Sequence, residues 1–313
     1  TSPIQFTSKR LSDGIHTLKI RSEDKVGNRG STPALFNWTV DTTAPNTKID
    51  SATDGNKSTV TNDGNTKSTS MTFAFSGNDT GGLGIDHFGC SIDKSEFVTC
   101  TSPFTYSKSF KDGIHTFRVL SEDKVANKDP SPASLSWTVD TVAPSTRIDS
   151  ATDGNKSSII NGGNSSSNSA IIMFSGLDSG GNSGKGVGIN HFECSLDGAS
   201  FSNCSAPLKI NKLKDGTHTV ELRASDNVGN KDSSPASLSW TVDTAPPSTS
   251  ITSAIDGKRN IVAAGGNTTS TSMVFSLSGN DTGIGLDHFE CSLDGASFTL
   301  CTSPVVFKNL ADG

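Results

Sequence analysis

Large apolar side chains are scarce in this sequence. Only 32% of its 313 residues are apolar and 6% are aromatic, too little to fill one deep core, because interiors close only when large side chains interlock. No apolar run approaches the ~18 residues of a membrane span, and no signal-peptide pattern is visible. A basic excess is missing as well: 26 Lys and Arg face 32 Asp and Glu, a net charge of −6. That disfavours a nucleic-acid surface, while the 19% of charged residues is too modest for a disordered acidic tail. Catalytic signatures are absent too. There is no G-x-S-x-G, H-E-x-x-H or P-loop, and paired carboxylates occur only inside recurring turn motifs, so no enzyme is expected. What is abundant is glycine, 31 residues, together with Ser, Thr, Asn and Asp. This composition points to small, shallow, turn-rich β modules.

The modules repeat. Trp-Thr-Val-Asp-Thr stands at 38–42, 137–141 and 240–244, and Asp-Gly-x-His-Thr begins at Asp13, Asp112 and Asp215, with a further Asp312-Gly313. Cysteines pair as 90/100, 194/204 and 291/301. Thr1-Ser2-Pro3 matches Thr101-Ser102-Pro103 and Thr302-Ser303-Pro304, which follow the second cysteine of a pair. The Pro-marked linkers at Ala44-Pro45, Ala143-Pro144 and Ala245-Pro246 set the expected boundaries. Residues 1–44 read as the C-terminal half of a unit, 45–143 and 144–245 as complete units, and 246–313 as an N-terminal part. The expected context is a longer array. The alternative is a chain whose partial ends complete one another head to tail.

Within 45–143, period-two runs separated by turn signals predict about seven strands and no helix. Met71, Phe73 and Phe75 share one face of a strand, as do Phe88, Cys90 and Ile92. His115, Phe117 and Val119 form a third inward set, and Leu135, Trp137 and Val139 a fourth. Half-apolar strands in this number predict an antiparallel β-sandwich, because each sheet needs a partner face.

One string carries a resemblance to a known family: Phe192-Glu193-Cys194-Ser195-Leu196-Asp197-Gly198, Leu213-Lys214-Asp215-Gly216-Thr217-His218-Thr219, Ala224-Ser225-Asp226-Asn227-Val228-Gly229-Asn230 and Trp240-Thr241-Val242-Asp243-Thr244. It resembles the tandem immunoglobulin-like repeats of large bacterial and archaeal surface proteins. The resemblance implies an all-β array of immunoglobulin-like β-sandwich domains, strung like beads or built into a filament. The copies are not identical: Gly89 stands where the others carry Glu193 and Glu290, and Ala126 where they carry Gly27 and Gly229.

Each cysteine pair brackets a turn, offers only two thiols per unit and lacks C-x2-C spacing, which favours disulfides 90–100, 194–204 and 291–301 over zinc. Disulfides place the chain in an oxidising, extracellular or cell-surface setting. His16, His115 and His218 are expected at a corner that bonds back to upstream backbone, with imidazole in place of the usual phenol. His87, His191 and His288 are expected on the exposed face. Calcium is the candidate cofactor. Asp41, Asp140 and Asp243 precede the linkers, and Asp24, Asp123 and Asp226 sit with Asn28, Asn127 and Asn230 in D-x-V-[GA]-N turns; related immunoglobulin-like adhesin arrays use calcium at domain junctions. The competing explanation is that Asp and Asn simply suit turns. Glycosylation candidates are the sequons at Asn56, Asn78, Asn155, Asn164, Asn267 and Asn280, with Asn37 and Asn203 expected to be less accessible.

These observations predict a structural extracellular repeat protein forming a stalk, adhesin shaft, surface layer or filament, with self-association in series and no membrane span. The second reading is an adhesin or carbohydrate-binding module whose loops, such as 161–168 and 179–188, contact a glycan or host surface. A third is a set of spacer domains on a secreted enzyme.

Overall fold

The computed structural model describes residues 11–180 and 186–312; the middle of the expected 179–188 recognition loop and the Thr1-Ser2-Pro3 match lie outside them. Among the described residues every regular element is a strand. A hairpin of β1 (Gly14–Ile20) and β2 (Ala34–Val40) comes first, with His16 opposite Trp38. Next come β3 (Asn46–Asp54), β4 (Gly64–Thr66), β5 (Met71–Asn78), β6 (Ile85–Ile92), β7 (Val98–Cys100), β8 (Phe104–Thr105), β9 (Gly113–Asp123) and β10 (Ala133–Val139). They make a three-stranded sheet, β3-β5-β8, and a five-stranded sheet, β4-β10-β9-β6-β7.

The same pattern recurs as β11 (Ser145–Asp153), β12 (Gly163–Ser165), β13 (Ala170–Leu177), β14 (Ile189–Leu196), β15 (Ser202–Cys204), β16 (Leu208–Ile210), β17 (Gly216–Asp226) and β18 (Ala236–Val242). Its sheets are β11-β13-β16 and β12-β18-β17-β14-β15. Then follow β19 (Ser248–Asp256), β20 (Met273–Asn280), β21 (Phe289–Cys291), β22 (Thr299–Cys301) and β23 (Val305–Phe307), in sheets β19-β20-β23 and β21-β22. By contacts the chain divides into two compact units. One comprises residues 1–144, 177–190 and 225–232; the other comprises 145–176, 191–224 and 233–313.

The inward faces are those the period-two pattern marks. Met71, Phe73, Phe117, Val119 and Trp137 are fully buried, each large apolar side chain contributing roughly 1.5–3 kcal/mol by leaving water. Phe73 stacks on Phe117 with ring centroids 4.0 Å apart, and the edge of Phe110 meets Trp137 at 5.0 Å. Two features depart from a plain antiparallel sandwich. β4 and β12 pair parallel to β10 and β18. In β3, a register shift between Ile49 and Ser51 flips the buried phase, so Thr47 faces inward before it and Ala52 and Asp54 after it. Such bulges let one strand serve two packing surfaces.

Disulfides join Cys90–Cys100, Cys194–Cys204 and Cys291–Cys301, each with Cα atoms 5.8 Å apart. Cys90 lies opposite Val98 and Cys100 opposite Phe88, so the bond ties β6 to β7 diagonally. The surroundings of Gly89 differ from those of Glu193. Glu193 pairs with Arg223 (Oε2 to Nε, 2.7 Å), whereas Gly89 lies beside the apolar Phe97 and Leu120, at ordinary contact distance for a Cβ. An apolar contact replaces an ion pair.

Candidate functional site

Asp41 and Asp140 end the Trp-Thr-Val-Asp motif, and their carboxylates turn back on a Gly-x-Gly loop. Asp41 accepts from Thr43 N at 3.0 Å and Leu83 N at 2.7 Å; Asp140 accepts from Val142 N and Val187 N, both at 3.0 Å. Asp79 and Asp178, just past β5 and β13, accept from the N–H of Gly84 and Gly188 at 2.7 Å. Those glycines have φ of +84° and +88°, left-handed conformations that a side chain disfavours. A Cβ on Gly82 or Gly186 would run into the carboxylate of Asp79 or Asp178.

The third carboxylate comes from the end of β9 or β17. Asp123 Oδ1 accepts from Val125 N and Asn127 N at 2.9 Å, and its Oδ2 from Asn127 Nδ2 at 2.7 Å. Asp226 repeats this with Val228 and Asn230. The same amides reach the linker carbonyls, Asn127 to Asp41 O at 3.1 Å and Asn230 to Asp140 O at 3.0 Å. Each Asn therefore presents its NH2, not its oxygen, and ties turn to linker.

The outcome is two groups of three, Asp41–Asp79–Asp123 and Asp140–Asp178–Asp226, in each of which one oxygen per residue lies within 4.8 Å of the others. Both groups fall inside the unit of residues 1–144, 177–190 and 225–232. Asp123, Asp140 and Asp226 are at most 2% exposed, while Oδ1 of Asp79 and of Asp178 is buried without a hydrogen-bond partner. At an effective dielectric of about 20, each like-charge pair at this range costs on the order of 3 kcal/mol. Burial pushes the Asp178 carboxyl above its ordinary value, and the charges of Asp140 and Asp226 add to the rise. Clustered carboxylate oxygens with spare lone pairs are the donor set of a hard divalent cation such as calcium, which takes six to eight oxygens in flexible geometry.

Sequence reasoning found Asp41, Asp123, Asp140 and Asp226 but not Asp79 and Asp178. The signal was available: Asp79, Asp178 and Asp281 each stand 38 residues after Asp41, Asp140 and Asp243. Asp243 and Asp281 repeat two arms of the group, accepting from Ile284 N at 3.0 Å and Gly285 N at 2.6 Å and lining one cavity of about 350 Å³. Asp281 Oδ1 is again buried without a partner. Asp24 and Asn28 hold the turn geometry (Asn28 N to Asp24 Oδ1, 2.8 Å), and Asp24 belongs to neither group of three found among the described residues.

The corner histidines bond back as the resemblance implies. His16, His115 and His218 direct Nε2 at the carbonyl oxygens of Ser12, Lys111 and Lys214, each at 2.7 Å. His87 and His191 are half-buried rather than exposed, because Glu122 and Glu193 draw their rings onto the sheet; His288 is exposed. Asn56, Asn78, Asn155, Asn164, Asn267 and Asn280 are all exposed, and so are Asn37 and Asn203, against the expectation that these two are less accessible.

Residues 1–76 match the family model of the bacterial Ig-like domain (group 3). No curated protein matches the chain in sequence. Similar solved structures include a tetra-tandem repeat from the extending region of a large adhesion protein, at 14% identity, TM-score 0.33, over 96% of this chain and 82% of that one. A 1.5-MDa bacterial ice-binding adhesin gives 11% identity and TM-score 0.35, over 87% of this chain and 99% of that one. Fibronectin(III)-like modules of Clostridium thermocellum CbhA give 15% identity and TM-score 0.32, over 63% and 94%.

Proposed function

We propose, from the premise that the chain is a tandem array of immunoglobulin-like repeats, that it serves as an extracellular structural shaft whose repeats are fastened by divalent cations. Calcium is the cation that suits the donor set. The observation that carries this reading is the threefold aspartate group, made twice from corresponding residues, with an orphaned buried oxygen on Asp79 and on Asp178. A turn that merely needed Asp for local hydrogen bonds would not bring a third, unsatisfied carboxylate against two others. Bound calcium would neutralise the repulsion and link the linker aspartate to two loops of the following repeat.

Disulfides in each repeat support a secreted or surface location, and the work of such a module is mechanical rather than catalytic. The exposed sequons leave Asn56, Asn78, Asn155, Asn164, Asn267 and Asn280 open to glycosylation, which the intact mass of the secreted protein reads directly. The calcium reading is tested by thermal melts of the full chain after chelation and after adding back calcium. Calcium is expected to raise the midpoint, and Asp140→Asn to blunt the rise. Coincident melts with and without calcium overturn the reading.

A further inference from the structure

His218 presents both ring nitrogens to acceptors. Nε2 lies 2.7 Å from the carbonyl oxygen of Lys214, and Nδ1 lies 2.8 Å from Oδ2 of Asp197. A carbonyl oxygen only accepts, and so does a carboxylate. A neutral imidazole carries one N–H, so one of the two contacts would set a ring lone pair against an oxygen lone pair. Only a ring protonated at both nitrogens satisfies both. His115 shows the same arrangement, Nε2 to Lys111 O at 2.7 Å and Nδ1 to Asp93 Oδ2 at 2.8 Å.

We propose that His218 is held in the folded repeat as an imidazolium ion, locked between Asp197 and the Lys214 carbonyl, and that this stored charge makes the repeat's stability depend on pH. The surroundings favour it. The turn after β14 supplies Asp197, whose other oxygen accepts from Thr219 N at 2.8 Å, so the carboxylate is fixed in place. From β18 come uncharged groups, the ring of Trp240 with its centroid 6.0 Å away and the hydroxyl of Ser239, which donates to the His218 carbonyl oxygen at 3.2 Å. Asp215, next in chain to Lys214, spends its Oδ1 on Thr244 N and Oγ1. The His218 side chain is 12% exposed, while that of Asp197 is 43% exposed and reaches solvent.

Burial alone would push the imidazole down. The bond to Lys214, then the bond to Asp197 and its charge, outweigh burial and hold it above its ordinary 6.5. Asp197 moves the other way: burial would raise it, but the bonds from His218 and Thr219 and the imidazolium charge hold it below 3.8. The sign follows by linkage. The histidine's contribution is complete below 6.5 and is lost as pH rises through its elevated folded value. The aspartate's is complete above 3.8 and is lost as pH falls through its depressed one. Between those two ordinary values the pair is fully formed.

The test is an NMR titration of histidine side chains in the full-length chain labelled with nitrogen-15, with His218→Gln identifying the His218 signals. Both His218 nitrogens are expected to carry protons at pH 6.5, with a midpoint above 6.5. Asp197→Asn, which keeps an acceptor for Thr219 N, is expected to lower that midpoint. Melts from pH 6 to 9 are expected to show wild type losing midpoint relative to Asp197→Asn as pH rises. A ring that titrates at or below 6.5 overturns the proposal, and that measurement on wild type does not depend on either variant folding.

Discussion

Ala126 occupies a turn position held by Gly27 and Gly229 in the other copies, and it does so at φ +70°, against +90° and +81° for the glycines. A left-handed conformation costs an L-residue roughly 1–2 kcal/mol, while glycine costs about 0.5–1 kcal/mol in lost chain entropy. Ala126→Gly is therefore expected to stabilise the repeat by about 0.5–1 kcal/mol, read from chemical denaturation; a destabilised variant would contradict the strain argument. A second single residue governs acid behaviour. The N–H of Asn260, with further bonds from the Asn260 amide, Thr268 and Lys258, holds Asp256 from 3.8 down to about 2 despite opposing burial. A depressed carboxylate stabilises above its unfolded value and loses that contribution as pH falls through about 2. Wild type is thus expected to lose stability relative to Asp256→Asn between pH 3.8 and 2, followed by circular dichroism. Parallel acid curves would remove Asp256 from the account.

Among the elements, the strands with apolar alternation were legible and the polar ones were not. Met71, Phe73 and Phe75 mark β5, and Leu135, Trp137 and Val139 mark β10, because one face is solvent-free and selects apolar residues at every second position. Gly64-Asn65-Thr66 carries no such mark, yet it forms β4 beside β10; its place is set by the turn before it, where Thr66 Oγ1 donates to Asp54 at 2.7 Å. The core elements predict large effects. Phe117, stacked on Phe73 and wholly buried, is expected to cost about 3–5 kcal/mol on replacement by Ala. The diagonal link between β14 and β15 is separable from packing. Closing its short loop limits the unfolded chain by about 2.7 kcal/mol on the chain-entropy model. The double variant Cys194→Ser/Cys204→Ser is expected to lose about that much from its repeat's transition, and an unshifted transition would show that packing alone holds the hairpin.

Across the molecule, the repeat period exposes what a single motif hides. Asp41 and Asp123 belong to motifs that end on strands, whereas Asp79 is marked by its constant distance from the linker aspartate and by a Ser-Gly-x-Asp-[Ser/Thr]-Gly string that recurs at 76–81, 175–180 and 278–283. Three-dimensional grouping then separates complete sites from incomplete ones. Two groups hold three carboxylates each, while Asp243 and Asp281 supply two arms of the same design within the described residues. Because cation affinity rises with the number of charged oxygens and falls with disorder among them, the full chain is expected to bind about two calcium ions tightly and any third weakly. At a hundredfold excess over its dissociation constant, each tight site would add about 2.7 kcal/mol by mass action. Titration calorimetry reads the count directly. Asp178→Asn should remove one tight ion and Asp79→Asn the other, each leaving its counterpart intact, since the two groups share no ligand. Gly186→Ala should act like Asp178→Asn although it removes no oxygen, because its methyl group displaces that carboxylate. A stoichiometry that ignores these substitutions would locate the cations elsewhere and detach the chain's stability from its aspartate groups.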